Sequence, residues 1–186
     1  MTTFRAPERH LVLVGLMGAG KTAVGTECAR LLGRPFVDTD LVVEEAAGTG
    51  VAAIFSSEGE EGFRRREADA VAQAASGSEP AVIACGGGAV LSEVNRETLR
   101  AHGFVVWLTA EPAVLAERVA ASGPASGAGS GARPLLAGDA QAAVLTRLGL
   151  ERDAAYRQAA DAVVRTDHLD VGGVAAAVLA AYELGR

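Results

Sequence analysis

The sequence is expected to fold as an α/β domain of three layers, α/β/α, with a five-stranded parallel sheet at its centre. Three observations carry that expectation. Short apolar runs alternate with stretches of helical periodicity along the 186 residues, the pattern of strands joined by crossover helices. Hydrophobic residues make up 49% and charged residues 22%, enough to bury a core over one domain length. The glycines and carboxylates that stand out follow the apolar runs directly, where parallel sheets bind their ligands.

The elements read in order as follows. Leu11–Val14 is a strand buried on both faces and stopped by Gly15. Lys21–Leu32 has helical spacing and ends at Gly33. Pro35–Val37 is a second strand, Asp40–Ala47 a helix closed by Gly48, Val51–Phe55 a weaker helix and Glu60–Ala75 a longer one. Ala81–Ala84 and Phe104–Leu108 are the third and fourth strands. Pro112–Ala120 is a helix with proline in its first turn, where a missing N–H is harmless. Ser122–Ala132 is almost entirely Gly, Ser, Ala and Pro, a lid-like stretch. A helix over about 140–158, a strand at Ala162–Arg165 and a helix at Val171–Leu184 complete the chain. The expected organisation is one domain, 1–186, with core 10–121 and 139–186 and a lid at about 122–138.

Composition narrows the partners. Seventeen basic against 23 acidic side chains give a net charge of −6, so a nucleic-acid or anionic-membrane surface is not expected. Cys28 and Cys85 sit in apolar surroundings with no metal-ligand spacing, and read as small buried residues. The run Leu11–Val14 is too short for a signal or a membrane span. A cytoplasmic monomer is expected.

Gly15-Leu16-Met17-Gly18-Ala19-Gly20-Lys21-Thr22 fits G-x-x-x-x-G-K-(S/T) between the first strand and first helix. Such a loop wraps phosphate in backbone N–H groups at a helix N-terminus; Lys21 reaches the β/γ-phosphates and Thr22 ligates Mg²⁺. Gly18–Ala23 also fits G-x-G-x-x-A with Asp38 about 20 residues on, the dinucleotide spacing. The Lys-Thr pair decides for a nucleoside triphosphate with Mg²⁺. No N-K-x-D motif is present to read guanine.

The remaining residues suggest a pocket for a small polyhydroxy acid. In extended chain Asp38 and Asp40 point the same way. Asp38 then serves Mg²⁺ through water, with Thr22, and Asp40 accepts the acceptor hydroxyl's hydrogen bond and its proton; a plain helix cap at Asp40 is the alternative. In Phe63-Arg64-Arg65-Arg66-Glu67 the three arginines cannot share one direction, but Arg64 and Glu67 share a helix face. One arginine can enter the cleft, held by Glu67, while the others stay in solvent. Gly86-Gly87-Gly88 after a buried strand implies close backbone approach and free N–H donors. Arg133 follows the Gly/Ser/Ala stretch and can meet the transferring phosphate. Arg157 is either a pocket residue or a favourable charge near a helix C-terminus. Trp107 reads as core, and His10, His102 and His168 receive no role.

Together, Gly15–Thr22, Asp38-Thr39-Asp40, Ile54-Phe55 with Gly59-Glu60, Phe63-Arg64-Arg65 with Glu67, Gly86–Val90, Arg133-Pro134-Leu135-Leu136 and Tyr156-Arg157 resemble the shikimate kinase family from about Leu11 to Leu179. The resemblance implies a P-loop fold of nucleoside-monophosphate-kinase type. It implies transfer of the γ-phosphoryl of ATP to the 3-hydroxyl of shikimate, on the way to chorismate and the aromatic amino acids. It implies Lys21, Asp40 and Arg133 as catalytic, and Gly18, Ala19, Gly20, Lys21, Thr22, Ala23, Arg118 and Arg133 as ATP-binding. Arg118 then lies against adenine. Asp40 and Gly86, Gly87 and Gly88 hold the ring hydroxyls, Arg64 and Arg157 the carboxylate with Glu67 in support, and Thr22 with Asp38 the metal. A gluconate-type kinase of the same architecture is the nearest rival, and a non-catalytic binding module the rival of another class.

Overall fold

A computed structural model describes residues 9–122 and 139–185. Five parallel strands form one sheet in the order β2-β3-β1-β4-β5. They are β1 (His10–Val14), β2 (Phe36–Asp38), β3 (Val82–Ala84), β4 (Gly103–Thr109) and β5 (Ala162–Arg165). The central strand β1 is buried along its whole length, as its unbroken apolar run requires of a strand covered on both faces. Its register sets Leu13 beside Ala84 of β3 and Val106 of β4.

The helices are α1 (Lys21–Leu32), α2 (Thr39–Ala47), α3 (Val51–Ala75), α4 (Glu93–His102), α5 (Pro112–Ser122), α6 (Asp139–Ala159) and α7 (Val171–Leu184). α1 packs on α7 and the sheet; α4 and α6 pack on each other and on β4. The expected three-layer, five-stranded parallel architecture is therefore the observed one. No helix among the described residues is long and apolar enough to cross a membrane.

Two details position the site. α3 is bent at Gly59, where φ 70° and ψ −175° break the helix, so the two helices expected at Val51 and Glu60 exist as arms of one bent element. Val43, Val51, Ile54, Phe63 and Ala70 form a second core beneath α2 and α3, with Phe55 stacked on Phe63 at 4.5 Å. That small core fixes the turn of α3 that carries Arg64.

Helix α4 was not expected. It has only Val94 and Leu99 as large apolar residues, too few for a periodic signal. Its ends form it instead: the Ser92 side chain accepts from Asn95 N–H at 3.3 Å, Glu93 lies in the first turn, and Arg100 and His102 lie in the last. Cys28 and Cys85 are buried, as expected, and burial raises both thiol pKa values, Cys28 to about 12. His10 is also buried, its Nδ1 accepting from Ala81 N–H at 3.0 Å. The expected lid falls outside the described residues except for Ser122, and Arg133 lies outside them too.

Candidate active site

The phosphate loop joins the buried end of β1 to α1, whose N-cap is Gly20 at φ 91°. Gly18 has φ +78°, and a Cβ there would lie 2.5 Å from the Leu115 carbonyl oxygen. Lys21 Nζ turns back over the loop and donates to the carbonyls of Gly15 at 2.9 Å and Leu16 at 3.1 Å. Burial lowers the pKa of its ammonium, while Asp40 and Asp38 act against that shift.

Asp38 ends β2 and caps α2, its Oδ1 accepting from Asp40 N–H at 3.0 Å. Its Oδ2 accepts from Thr22 Oγ1 at 2.9 Å. A hydroxyl and a carboxylate from two elements thus meet beside the loop. The helix cap is Asp38, not Asp40, so the Asp40 carboxylate is left for the cleft. Its Oδ1 is buried with no hydrogen-bond partner among the described residues, a costly state for a carboxylate oxygen. Burial first, and then repulsion from Asp38, push its pKa up to about 7, with Lys21 opposing.

Facing Asp40, the Gly86–Gly88 turn follows β3. The expected close approach is made by the protein itself. A Cβ at Gly86 would fall 2.5 Å from Asp40 Oδ1 and 2.9 Å from Glu67 Oε1. One at Gly88 would fall 2.3 Å from Arg64 Nη1. The N–H of Gly86 is not free, since it donates to Thr39 Oγ1 at 3.1 Å; this corrects part of the expectation. Of the three arginines, Arg64 enters the cleft, its Nη1 donating to Glu67 Oε2 at 2.6 Å, with Glu67 almost fully buried. Arg65 and Arg66 pair with Glu61 and Glu58 at the surface. Burial raises the Glu67 pKa, and the charges of Arg64 and Arg152 oppose it. Arg64 also pairs with the exposed Glu60 at 3.4 Å, and Arg152 is near enough for its charge to act on Glu67, so two guanidinium ions flank the buried carboxylate.

Over residues 17–183 the chain matches the family model for shikimate kinase. It is 53% identical over 170 residues to a shikimate kinase of Symbiobacterium thermophilum, covering 91% of this chain and 94% of the relative. The chain belongs to the shikimate kinase family. A shikimate kinase of Dechloromonas aromatica is 43% identical over 166 residues, covering 89% of this chain and 86% of the relative. The solved shikimate kinase of Acinetobacter baumannii in complex with shikimate superposes with a TM-score of 0.81 at 36% identity, covering 92% of this chain and 90% of that one. A Sinorhizobium meliloti gluconokinase at 19% identity, TM-score 0.60, shares the fold alone. As a shikimate kinase the chain is an ATP-dependent phosphotransferase. It transfers the γ-phosphoryl of ATP to the 3-hydroxyl of shikimate, giving shikimate 3-phosphate and ADP.

Within this shikimate kinase one expected residue is out of place. Arg157 projects from α6 into solvent, its side chain 68% exposed, paired with Asp153 at 2.7 Å and lying over the Trp107 ring. It is a charge in the last turn of the helix, the alternative role weighed from sequence. The arginine that does reach the cleft is Arg152, whose Nη1 donates to the Gly87 carbonyl at 3.0 Å. Five residues at 100° each put Arg152 and Arg157 on different sides of α6, and Arg152 shares a face with buried Tyr156 four residues on. That spacing was the signal available in the sequence. At the other end of the cleft, Arg118 spans from Gly18 to Thr166, donating to Thr166 Oγ1 at 2.8 Å and its carbonyl at 2.6 Å. Ala19 is buried in the loop and Ala23 exposed on α1.

Proposed function

We propose that one cleft along the strand ends holds ATP on the amides of Gly18–Ala23 and shikimate between Arg64 and Arg152, with Asp40 as proton acceptor for the 3-hydroxyl. The observation that carries this reading is the buried, unpartnered Asp40 Oδ1. It stands where the neighbourhoods of Lys21, Gly86 and Glu67 meet. A carboxylate without a donor is matched by an alcohol that must give up its proton as its oxygen attacks phosphorus. Two arginine forks suit the substrate's carboxylate.

Thr22 Oγ1 and Asp38 Oδ2 suit Mg²⁺. Mg²⁺ keeps several waters and takes phosphate oxygens beside one or two protein ligands, so it needs no all-protein cage. Thr22 would hold it directly and Asp38 through water, and the ion would neutralise phosphate charge. Lys21 adds its ammonium on the β/γ-phosphates, and Arg118 lines the adenine end. Arg133 is assigned to the transferring phosphate on its place in Arg-Pro-Leu-Leu alone.

The test is ADP release with a panel of hydroxy acids. Shikimate is expected to support turnover and gluconate is not; the reverse preference overturns the reading. Arg64→Ala and Arg152→Ala are each expected to raise the shikimate KM by about 10- to 100-fold, the scale of a lost charge-assisted hydrogen bond. Arg157→Ala should leave it within about twofold, having removed an exposed ion pair and a surface contact on the Trp107 ring, both outside the cleft. Gly88→Ala should behave like the Arg64 variant, because the added methyl collides with that guanidinium. An unchanged shikimate KM in Gly88→Ala would contradict the geometry at Arg64.

A further inference from the structure

The glycine turn that faces Asp40 is held from behind by α6. The turn is closed by Ala89 N–H donating to the Gly86 carbonyl at 3.0 Å, but three consecutive glycines add no side-chain restraint to the peptide between, so outside contacts add to what fixes its orientation. Two side chains on one face of α6, Arg152 and Tyr156, converge on the Gly87 carbonyl oxygen. Arg152 Nη1 donates at 3.0 Å and Tyr156 Oη at 2.7 Å. Tyr156 is 1% exposed, and its ring stacks on Trp107 of β4 with centroids 5.2 Å apart and planes 10° apart. Burial pushes its phenol up to about 12, so the proton stays on Oη and is available to donate. A phenylalanine would fill the same space and keep the stack, so packing alone does not account for the hydroxyl.

The carbonyl of Gly87 and the N–H of Gly88 belong to one planar unit, and no peptide among the described residues is cis. In a trans peptide these two groups point in opposite directions. Holding the carbonyl against α6 therefore aims the Gly88 N–H away from α6. The same carbonyl engages one nitrogen of Arg152 and leaves the rest of that fork for an anion.

We propose that Tyr156 is a positioning residue for the phosphoryl acceptor: its hydroxyl, by donating to the Gly87 carbonyl, fixes the Gly87–Gly88 peptide and the Arg152 fork that shares the carbonyl, and so sets affinity for shikimate but not for ATP. The proposal rests on the reading that Arg152 binds the substrate's carboxylate. Tyr156 acts through Gly87 and Arg152 and need not touch substrate.

The test is Tyr156→Phe in the full chain, beside Arg152→Ala. Trp107 is the only tryptophan, so its emission reports whether the stack survives the substitution. The expected result for Tyr156→Phe is an unchanged emission maximum, a shikimate KM raised about three- to tenfold, and a kcat and ATP KM within about twofold. An unchanged shikimate KM in Tyr156→Phe, with a raised one in Arg152→Ala, overturns this inference alone. Unchanged values in both variants overturn it together with the assignment of Arg152. If both KM values rise in Tyr156→Phe with a shifted emission maximum, the hydroxyl serves packing only, and the proposal fails.

Discussion

Asp40→Asn is expected to lower kcat by about 10²- to 10⁴-fold, the range for loss of a positioned general base, and to raise thermal stability at about pH 8. The two effects share a cause. The Asp40 carboxylate is buried, one oxygen is unpartnered, and Asp38 lies nearby. These conditions raise its pKa from 3.8 to about 7, which suits a group that must take a proton near neutrality. For stability the sign is set by the folded state binding the proton more tightly than the unfolded chain. The favourable contribution of the protonated group is present below the unfolded value and is lost as pH rises through about 7. Above that the wild type holds a poorly solvated anion that asparagine does not have, a difference on the order of 1–3 kcal/mol. Thermal midpoints from about pH 5 to about pH 8 should show the two proteins converging in acid and the variant ahead in base. For the wild type, kcat/KM should fall below about pH 7 as Asp40 takes up its proton. A flat profile through that range would remove Asp40 as the base.

Much of this site was legible because its residues follow the strands that place them. β1 announces itself as an unbroken apolar run, so the G-x-x-x-x-G-K-T loop had to lie at a strand end, and Lys21 and Thr22 with it. Asp38 and Asp40 were readable as a pair, although which one caps α2 was not. That depended on the Asp38 Oδ1 contact with Asp40 N–H, a matter of one side-chain rotation. Arg64 was readable from its i,i+3 relation to Glu67. Arg152 was missed because a lone arginine in the charged stretch Glu151-Arg152-Asp153 looks like a solvated helix face. The rotation of α6 that turns Arg152 inward is set by tertiary packing, with Leu145, Tyr156 and Ala159 buried and Tyr156 stacked on Trp107. Helix α4 was missed for the opposite reason: its signals lie at its ends, and its middle carries little apolar pattern. The roles of Gly86 and Gly88 were half legible. Close approach was foreseen, but the approaching groups are the protein's own carboxylates and guanidinium.

The second large effect is expected from Lys21→Met, which keeps an unbranched stem of similar length and removes the charge. Transfer requires positive charge on the β/γ-phosphates as the γ-phosphoryl moves. In a loop with fixed donors, losing one such partner costs about 10²- to 10³-fold in kcat. The ammonium is already held by the Gly15 and Leu16 carbonyls, so it is pre-placed over the loop and binding need not order it. The geometry also requires a second consequence. Lys21 is the charge that holds the Asp40 pKa down against burial and Asp38. Without it, Asp40 should protonate at still higher pH, and the acid limb of kcat/KM in Lys21→Met should move upward from about pH 7. Residual turnover in the variant would then be steeply pH-dependent where the wild type has levelled off. An acid limb at an unchanged pH would mean that Lys21 and Asp40 do not sense each other, and that the phosphate end and the acceptor end of the cleft are electrostatically separate.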